Sequence, residues 1–88
     1  MSDVEQVSAN AGASGHVVIV GCGRVGSGLA GRLLALGHSV AVIDTNRSAF
    51  RRLAGLDAEQ IEGIGYDRST LRSAGVERAV ALAAVTNG

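Results

Sequence analysis

The chain has 88 residues, of which 47% are hydrophobic and 18% are charged, and its formal net charge is zero. This composition predicts one folded domain and excludes a disordered chain, while the scattered arginines and scarce aromatic residues argue against a nucleic-acid-binding surface. The sequence contains no lysine, which excludes a phosphate-binding P-loop and catalysis through a lysine Schiff base.

The first residues are small and polar, with neither a basic segment nor an apolar run. They therefore resemble neither a signal peptide nor a membrane span. We expect a flexible leader over residues 1–15 and a folded domain over residues 16–88. Cys22 is the single cysteine, which favours a reducing, cytoplasmic compartment because it has no partner for an internal disulfide.

Beyond the leader, β-branched runs alternate with segments of helical spacing. The predicted elements are a strand over 16–20, a helix over 24–36 closed by Gly37, a strand over 39–43, a helix over 48–53 capped by Thr45 or Asn46, a strand within 59–64, a helix between Asp67 and Gly75, and a strand over 79–85. This alternation predicts an α/β fold with a Rossmann-like, doubly wound parallel sheet of about four strands in the order 3-2-1-4. The fourth strand is then an exposed apolar edge.

Three glycines follow the first predicted strand with the spacing G-x-G-x-x-G, and Asp44 ends the next strand. Together these features form the dinucleotide-binding fingerprint. Gly21 allows the turn from strand to helix, Gly23 lets a pyrophosphate approach the backbone, and Gly26 lets the helix pack close to the sheet. The sequence therefore predicts phosphate binding at the start of the first helix.

Asp44 is the candidate partner of the adenosine ribose hydroxyls. A carboxylate at this position repels a 2′-phosphate, which favours NAD(H) over NADP. Arg47 keeps NADP open, because its guanidinium can pair with a 2′-phosphate or stack on adenine. A purely structural alternative is that Asp44 caps the following helix.

Three further polar residues are candidate ligand contacts. Arg24 is either a phosphate contact or a solvent-exposed residue at the helix start. Asp67 either caps a helix or lies near the adenine. Thr86 ends the fourth predicted strand, where the strand order reverses and a ligand is within reach.

Other residues are interpreted as structural. Gly28 and Gly31 lie further along the first helix, where each costs about 1 kcal/mol relative to alanine, so we expect them to allow close packing. The Cys22 thiol is interpreted as a small packing group. His16 and His38 lack the spacing of a metal site, and we assign no metal-binding residue.

Residues 16–44, HVVIVGCGRVGSGLAGRLLALGHSVAVID, resemble the N-terminal nucleotide-binding domain of the TrkA family, also called the RCK or KTN domain. Residues 63–88, GIGYDRSTLRSAGVERAVALAAVTNG, are similar to the second signature of that family. The matching positions of this signature are Gly63 or Gly65, Asp67, Leu71, Ala74, Gly75 and the strand that ends at Thr86. The resemblance extends from about residue 16 to the last residue.

The resemblance implies a non-catalytic regulatory component of a potassium transport system, cytoplasmic or at the inner face of the plasma membrane. It implies binding of NAD(H), with ATP, ADP or NADP as alternatives, and a membrane potassium transporter or channel subunit as partner. It also implies a homo-oligomer and a domain that continues through further strands, so we expect this chain to be a fragment, or an early-terminated product, of a longer protein. The predicted nucleotide contacts are Gly21, Cys22, Gly23, Arg24, Val25, Gly26, Asp44, Thr45, Arg47, Asp67 and Thr86.

Two other functions stay open at this level. One is a truncated NAD-dependent oxidoreductase that retains its dinucleotide-binding domain, since a glycine motif alone does not define the chemistry. No Tyr-Lys pair, metal cluster or poised base in the sequence supports it, and we assign no catalytic residue. The other is a non-functional remnant or an oligomerisation module.

Overall fold

The strands and helices alternate along the chain as the sequence pattern predicts. The computed structural model describes residues 4–9 and 15–85. Its elements are β1 (Val4–Ala9), β2 (His16–Val20), α1 (Arg24–Ala35), β3 (Ser39–Asp44), a 3₁₀ helix (Arg47–Leu53), β4 (Glu59–Glu62), α2 (Arg68–Ser73), a 3₁₀ turn (Val76–Arg78) and β5 (Ala79–Val85). The strands form a five-stranded sheet in the order β1-β5-β2-β3-β4.

Four of the strands form the parallel part of the sheet. β2 pairs in parallel with β3 and with β5, and β3 pairs in parallel with β4. Their order reproduces 3-2-1-4 when only the strands predicted from the sequence are numbered, so the predicted Rossmann-like α/β fold is confirmed. Because these strands are parallel, their carboxyl ends and the loops that follow lie at one edge of the sheet.

The N-terminal strand β1 departs from the sequence-based expectation. Residues 4–9 fall within the leader predicted over 1–15, yet they pair antiparallel with β5. The outer edge of β5 is therefore paired rather than exposed, and its backbone groups gain hydrogen-bond partners. The leader composition did not reveal this strand because its partner lies at the far end of the chain.

The sheet separates two apolar clusters. The cluster on the face of α1 and the 3₁₀ helix contains the buried residues Val17, Ile19, Cys22, Ala30, Val40, Val42, Phe50 and Leu53. The cluster on the opposite face, beneath α2, contains the buried residues Val18, Ala41, Ile43 and Ala74. Successive residues of β2 and β3 thus enter opposite clusters, as expected for parallel strands covered on both faces. The larger cluster holds α1 against β2 and β3, and so positions the loops that follow these strands.

His16 is buried and joins three elements of the fold. Its Nε2–H donates to the carbonyl of Ala74 at 2.6 Å, and the Ser39 hydroxyl donates to its Nδ1 at 2.7 Å. A carbonyl oxygen only accepts, so the ring proton lies on Nε2. His38 receives a hydrogen bond on Nδ1 from the Gly15 N–H at 3.2 Å. Both histidines therefore make structural contacts, in line with their interpretation as structural residues.

Candidate functional site

The loop between β2 and α1 turns sharply at Gly21. This residue has a φ of +113°, a region that L side chains rarely adopt, and its N–H donates to the carbonyl of Ile43 at 2.7 Å. Gly23 precedes α1, and its carbonyl accepts a bond from the Ser27 N–H at 2.9 Å. The geometry at Gly21 is the turn that the sequence predicts.

Gly26 lies where α1 approaches this loop most closely. A Cβ at Gly26 would overlap the carbonyl oxygen of Gly21 and lie 3.6 Å from Cγ2 of Ile19. The helix therefore packs against the backbone of the loop as well as against β2. The close approach predicted for Gly26 is present, and its tightest contact is with the loop.

The other two glycines of α1 differ from this pattern. A Cβ at Gly28 would meet no heavy atom of the described residues within 4 Å, and Gly28 is exposed. The packing function predicted for Gly28 is wrong, because this position faces solvent. A Cβ at Gly31 would lie 3.7 Å from Cδ1 of Leu56, an ordinary contact distance. Neither position therefore requires glycine for space.

The first turn of α1 presents backbone N–H groups toward the loop. Among the described residues, no side chain caps this turn, and the turn itself contains no acidic residue. Arg24 begins the helix and is exposed, and Val25 follows it. The positive end of a 12-residue helix with uncapped N–H groups suits an anion such as a phosphate.

The Asp44 carboxylate accepts hydrogen bonds from two loops, the one that follows β2 and the one that follows β3. Its Oδ2 accepts a bond from the Cys22 N–H at 2.8 Å, and its Oδ1 accepts one from the Asn46 N–H at 2.8 Å. Each oxygen has a second lone pair, so the half-buried carboxylate retains acceptor capacity for a ligand hydroxyl. The cap of the following 3₁₀ helix is Asn46, whose Oδ1 accepts from the Ser48 N–H at 3.1 Å. The alternative interpretation of Asp44 as that cap is wrong.

An open cleft with a volume of about 290 Å³ lies at the carboxyl ends of the parallel strands. Its lining residues are Val20, Gly21, Ile43, Asp44, Thr45, Gly63, Gly65 and Val85. The cleft brings together three of the predicted site residues, Gly21, Asp44 and Thr45. In open α/β sheets, ligands bind in the crevice outside these strand ends.

Two glycines after β4 complete the cleft, and the sequence reasoning gave no physical role to either. The Gly63 N–H donates to the Asp44 carbonyl at 3.0 Å. A Cβ at Gly63 would lie 2.7 Å from Oγ1 of Thr70, and a Cβ at Gly65 would overlap Cγ1 of Val20. The sequence contains one signal for this side of the cleft, namely two glycines, separated by a single residue, that directly follow a strand.

Asp67 lies outside the lining of the cleft and caps α2. Its Oδ2 accepts from the Ser69 hydroxyl at 2.7 Å, from the Thr70 hydroxyl at 3.0 Å and from the Thr70 N–H at 3.2 Å. These bonds, that of Ser69 first, hold the pKa of Asp67 below its usual value. Of the two interpretations of Asp67, the structure supports the helix cap.

Two further predicted contacts are Arg47 and Thr86, of which the structure describes only Arg47. Arg47 is exposed, and its Nε lies 3.8 Å from Oε1 of Glu62 at the end of β4. The sequence reasoning missed Glu62. Thr86 lies outside the described residues, although the preceding Val85 lines the cleft.

Cys22 contributes its backbone to the site and its side chain to the core. The thiol is buried and donates to the Ala49 carbonyl at 3.3 Å. Burial, and after it the negative charge of Asp44, raises the pKa of Cys22 above its usual value. The thiol is therefore a packing group, as the sequence-based interpretation states.

We expect the raised pKa of Cys22 to make the domain less stable at alkaline pH. The unfolded chain is half deprotonated at the thiol at about pH 8.5 while the folded chain keeps the proton to higher pH, so the free energy of unfolding falls as the pH rises through that region. Urea unfolding at about pH 7 and about pH 9.5 measures this fall. Cys22→Ser lacks the titrating thiol and should lose less stability over the same range. An equal fall in both proteins would contradict the assignment.

Asp44 and Thr45 are the residues with polar side chains in the lining of the cleft. Across residues 4–9 and 15–85, His, Cys, Asp and Glu side chains nowhere form a group of three that could hold a metal ion. The helices in the same part of the chain include none with the length and apolar character needed to cross a membrane.

Comparison with known proteins finds the same family across sequence and structure. The family model of the TrkA-N domain matches residues 17–88. The Trk system potassium uptake protein TrkA of Streptomyces coelicolor is 54% identical over 74 residues, which cover 83% of this chain and 33% of that protein. A homolog of this uptake protein from Archaeoglobus fulgidus is 44% identical over 71 residues, which cover 81% of this chain and 16% of that protein. The chain thus spans a third or less of the length of these two relatives.

A solved structure supports the assignment. The crystal structure of the TrkA-N domain of the inner membrane protein ybaL from Escherichia coli matches with a TM-score of 0.64 and 31% sequence identity. The match covers 77% of this chain and 50% of that one. With the family model, the relatives and the fold in agreement, the chain belongs to the TrkA-N domain family.

Proposed function

We propose that this chain binds NAD(H) or another adenine nucleotide and acts as a non-catalytic, regulatory part of a potassium transport system. One observation carries the nucleotide proposal: the loop of Gly21, the start of α1 and the Asp44 carboxylate meet at the same sheet edge. These are an anion-binding helix end and a ribose acceptor, held together by the hydrogen bond from the Cys22 N–H to Asp44.

Each part of the nucleotide has a candidate group in the site. The pyrophosphate is expected at the uncapped N–H groups of the first turn of α1, after Gly23. The ribose hydroxyls are expected to donate to the lone pairs that Asp44 has left. Gly63 and Gly65 line the side of the cleft formed by the loop after β4, where the adenine is expected.

The cleft lining also supports binding rather than catalysis. Apart from Asp44 and Thr45, the lining residues are glycines and aliphatic residues. The carboxylate of Asp44 already accepts two backbone hydrogen bonds, which suits a fixed acceptor better than a group that exchanges protons. We therefore assign no catalytic residue.

The potassium part of the proposal comes from the relatives. The proteins from Streptomyces coelicolor and Archaeoglobus fulgidus are named as potassium uptake proteins. We propose that the partner is a membrane potassium transporter or channel subunit, and that the domain acts on its cytoplasmic side within a homo-oligomer. The nucleotide bound in the cleft would then report the metabolic state of the cell to the pore.

We expect NADH to raise the melting temperature of the chain. A ligand at about 100 times its dissociation constant stabilises the folded state by about 2.7 kcal/mol, which raises the melting temperature by about 11–22 °C for a domain of this size. Thermal unfolding with NADH, NADPH, ATP or ADP measures the effect. Nicotinamide mononucleotide lacks the adenosine and serves as the control, with no shift expected. The absence of a shift with all four nucleotides would contradict the proposed function.

A further inference from the structure

Two acidic residues are neighbours at the ends of β3 and β4. Asp44 and Glu62 are register partners in this parallel pair. Because side chains alternate along a strand, register partners project from the same face of the sheet. Val42, two residues before Asp44, belongs to the apolar cluster under α1, so both carboxylates are on the α1 face, where Asp44 reaches the Cys22 N–H.

Glu62 also faces Arg47, the cation closest in sequence to Asp44. The Arg47 Nε lies 3.8 Å from the Glu62 Oε1, and the two side chains are 85% and 54% exposed. Arg47 is the residue whose guanidinium can pair with the 2′-phosphate of NADP. In the structure that guanidinium already has an acidic partner on the neighbouring strand.

We propose that Glu62 determines specificity by disfavouring nucleotides that carry a 2′-phosphate. It pairs with the Arg47 guanidinium and adds a second negative charge at the strand ends where Asp44 lies. This inference rests on the proposed function, because it concerns the ribose of a nucleotide bound in the cleft.

The physical basis is the difference between a hydroxyl and a phosphate at the same ribose carbon. A 2′-hydroxyl donates a hydrogen bond to Asp44 and requires nothing from Glu62. A phosphate monoester carries a charge of about −1.5 to −2 near neutral pH, and at this edge it meets two carboxylates. The charges are exposed, so we expect a moderate effect on affinity rather than complete exclusion.

Glu62→Gln tests the proposal with two ligands that differ only in the 2′-phosphate, ADP-ribose and 2′-phospho-ADP-ribose. By isothermal titration calorimetry, the variant is expected to bind the 2′-phosphorylated compound about five times more tightly, and ADP-ribose within about twofold of the unmodified chain. The double variant Glu62→Gln, Arg47→Gln should lose most of this gain, because it lacks the released guanidinium.

A matched control removes the same charge elsewhere. Glu77 forms an ion pair with Arg72, 3.6 Å between Oε2 and Nε, and lies in the 3₁₀ turn before β5, whereas Glu62 is the register partner of Asp44. Glu77→Gln should leave the ratio of the two affinities unchanged, and a gain equal to that of Glu62→Gln would overturn the proposal. An unchanged ratio in Glu62→Gln, with ADP-ribose still bound by the unmodified chain, would also overturn it and leave the proposed function standing. Failure of the unmodified chain to bind either compound would overturn both.

Discussion

Asp44→Ala is expected to weaken the binding of NADH and ADP-ribose by about 30-fold and to lower the free energy of unfolding by about 2 kcal/mol. The carboxylate accepts bonds from the Cys22 and Asn46 N–H groups, so its removal leaves two backbone donors at the cleft without their acceptor. Hydrogen bonds to charged groups contribute about 1.5–3 kcal/mol each, and water entering the open cleft replaces part of that contribution. In Asp44→Ala, nucleotide binding weakens because the ribose has no carboxylate acceptor and because the glycine loop is no longer fixed by its hydrogen bond to Asp44.

Two variants separate these effects. Asp44→Asn keeps one acceptor oxygen and is expected to fall between the unmodified chain and the alanine variant in stability. Asp57→Ala removes an exposed carboxylate from the loop before β4 and matches the change in net charge. Calorimetric titration gives the affinity and urea unfolding gives the stability. If Asp44→Ala bound NADH as tightly as Asp57→Ala does, the ribose assignment would be wrong.

Local signals in the sequence were sufficient for the parallel part of the fold. β-Branched runs marked β2 and β3, and the last strand was predicted over the residues that form β5. Gly37 and Gly75 have φ values of +94° and +83°, as expected for residues that end a helix. These signals succeed because each depends on residues that are close in sequence.

The features that the sequence did not reveal depend on contacts between distant segments. The pairing of β1 with β5 joins the two ends of the chain, and no local pattern encodes it. Glu62 became a candidate only once the register of β3 and β4 placed it opposite Asp44. The bond from Asp44 to the Cys22 N–H similarly requires the loop geometry, whereas the fingerprint predicts only that both groups are near a nucleotide.

Gly26→Ala is expected to lower the free energy of unfolding by about 3 kcal/mol or more, one of the largest effects of adding a single methyl group. The new Cβ would overlap the carbonyl oxygen of Gly21, which is backbone and has no alternative rotamer. Moving that carbonyl disturbs the turn, because Gly21 has a positive φ and its N–H is bonded to Ile43. The first turn of α1 would also shift, so nucleotide binding should weaken in whatever fraction stays folded.

Gly28→Ala makes the same chemical change two residues further along α1 and is the matched control. Gly28 is exposed, and a Cβ there would meet no described heavy atom within 4 Å, so the methyl group has room. Alanine favours a helix over glycine by about 0.5–1 kcal/mol, and we expect Gly28→Ala to raise the free energy of unfolding by that amount. Urea unfolding of both variants and of the unmodified chain measures these two changes in the free energy of unfolding, which are expected to have opposite signs. If the two variants were equally stable, α1 would not approach the glycine loop as closely as in the structure. Position 26 would then have no steric need for glycine.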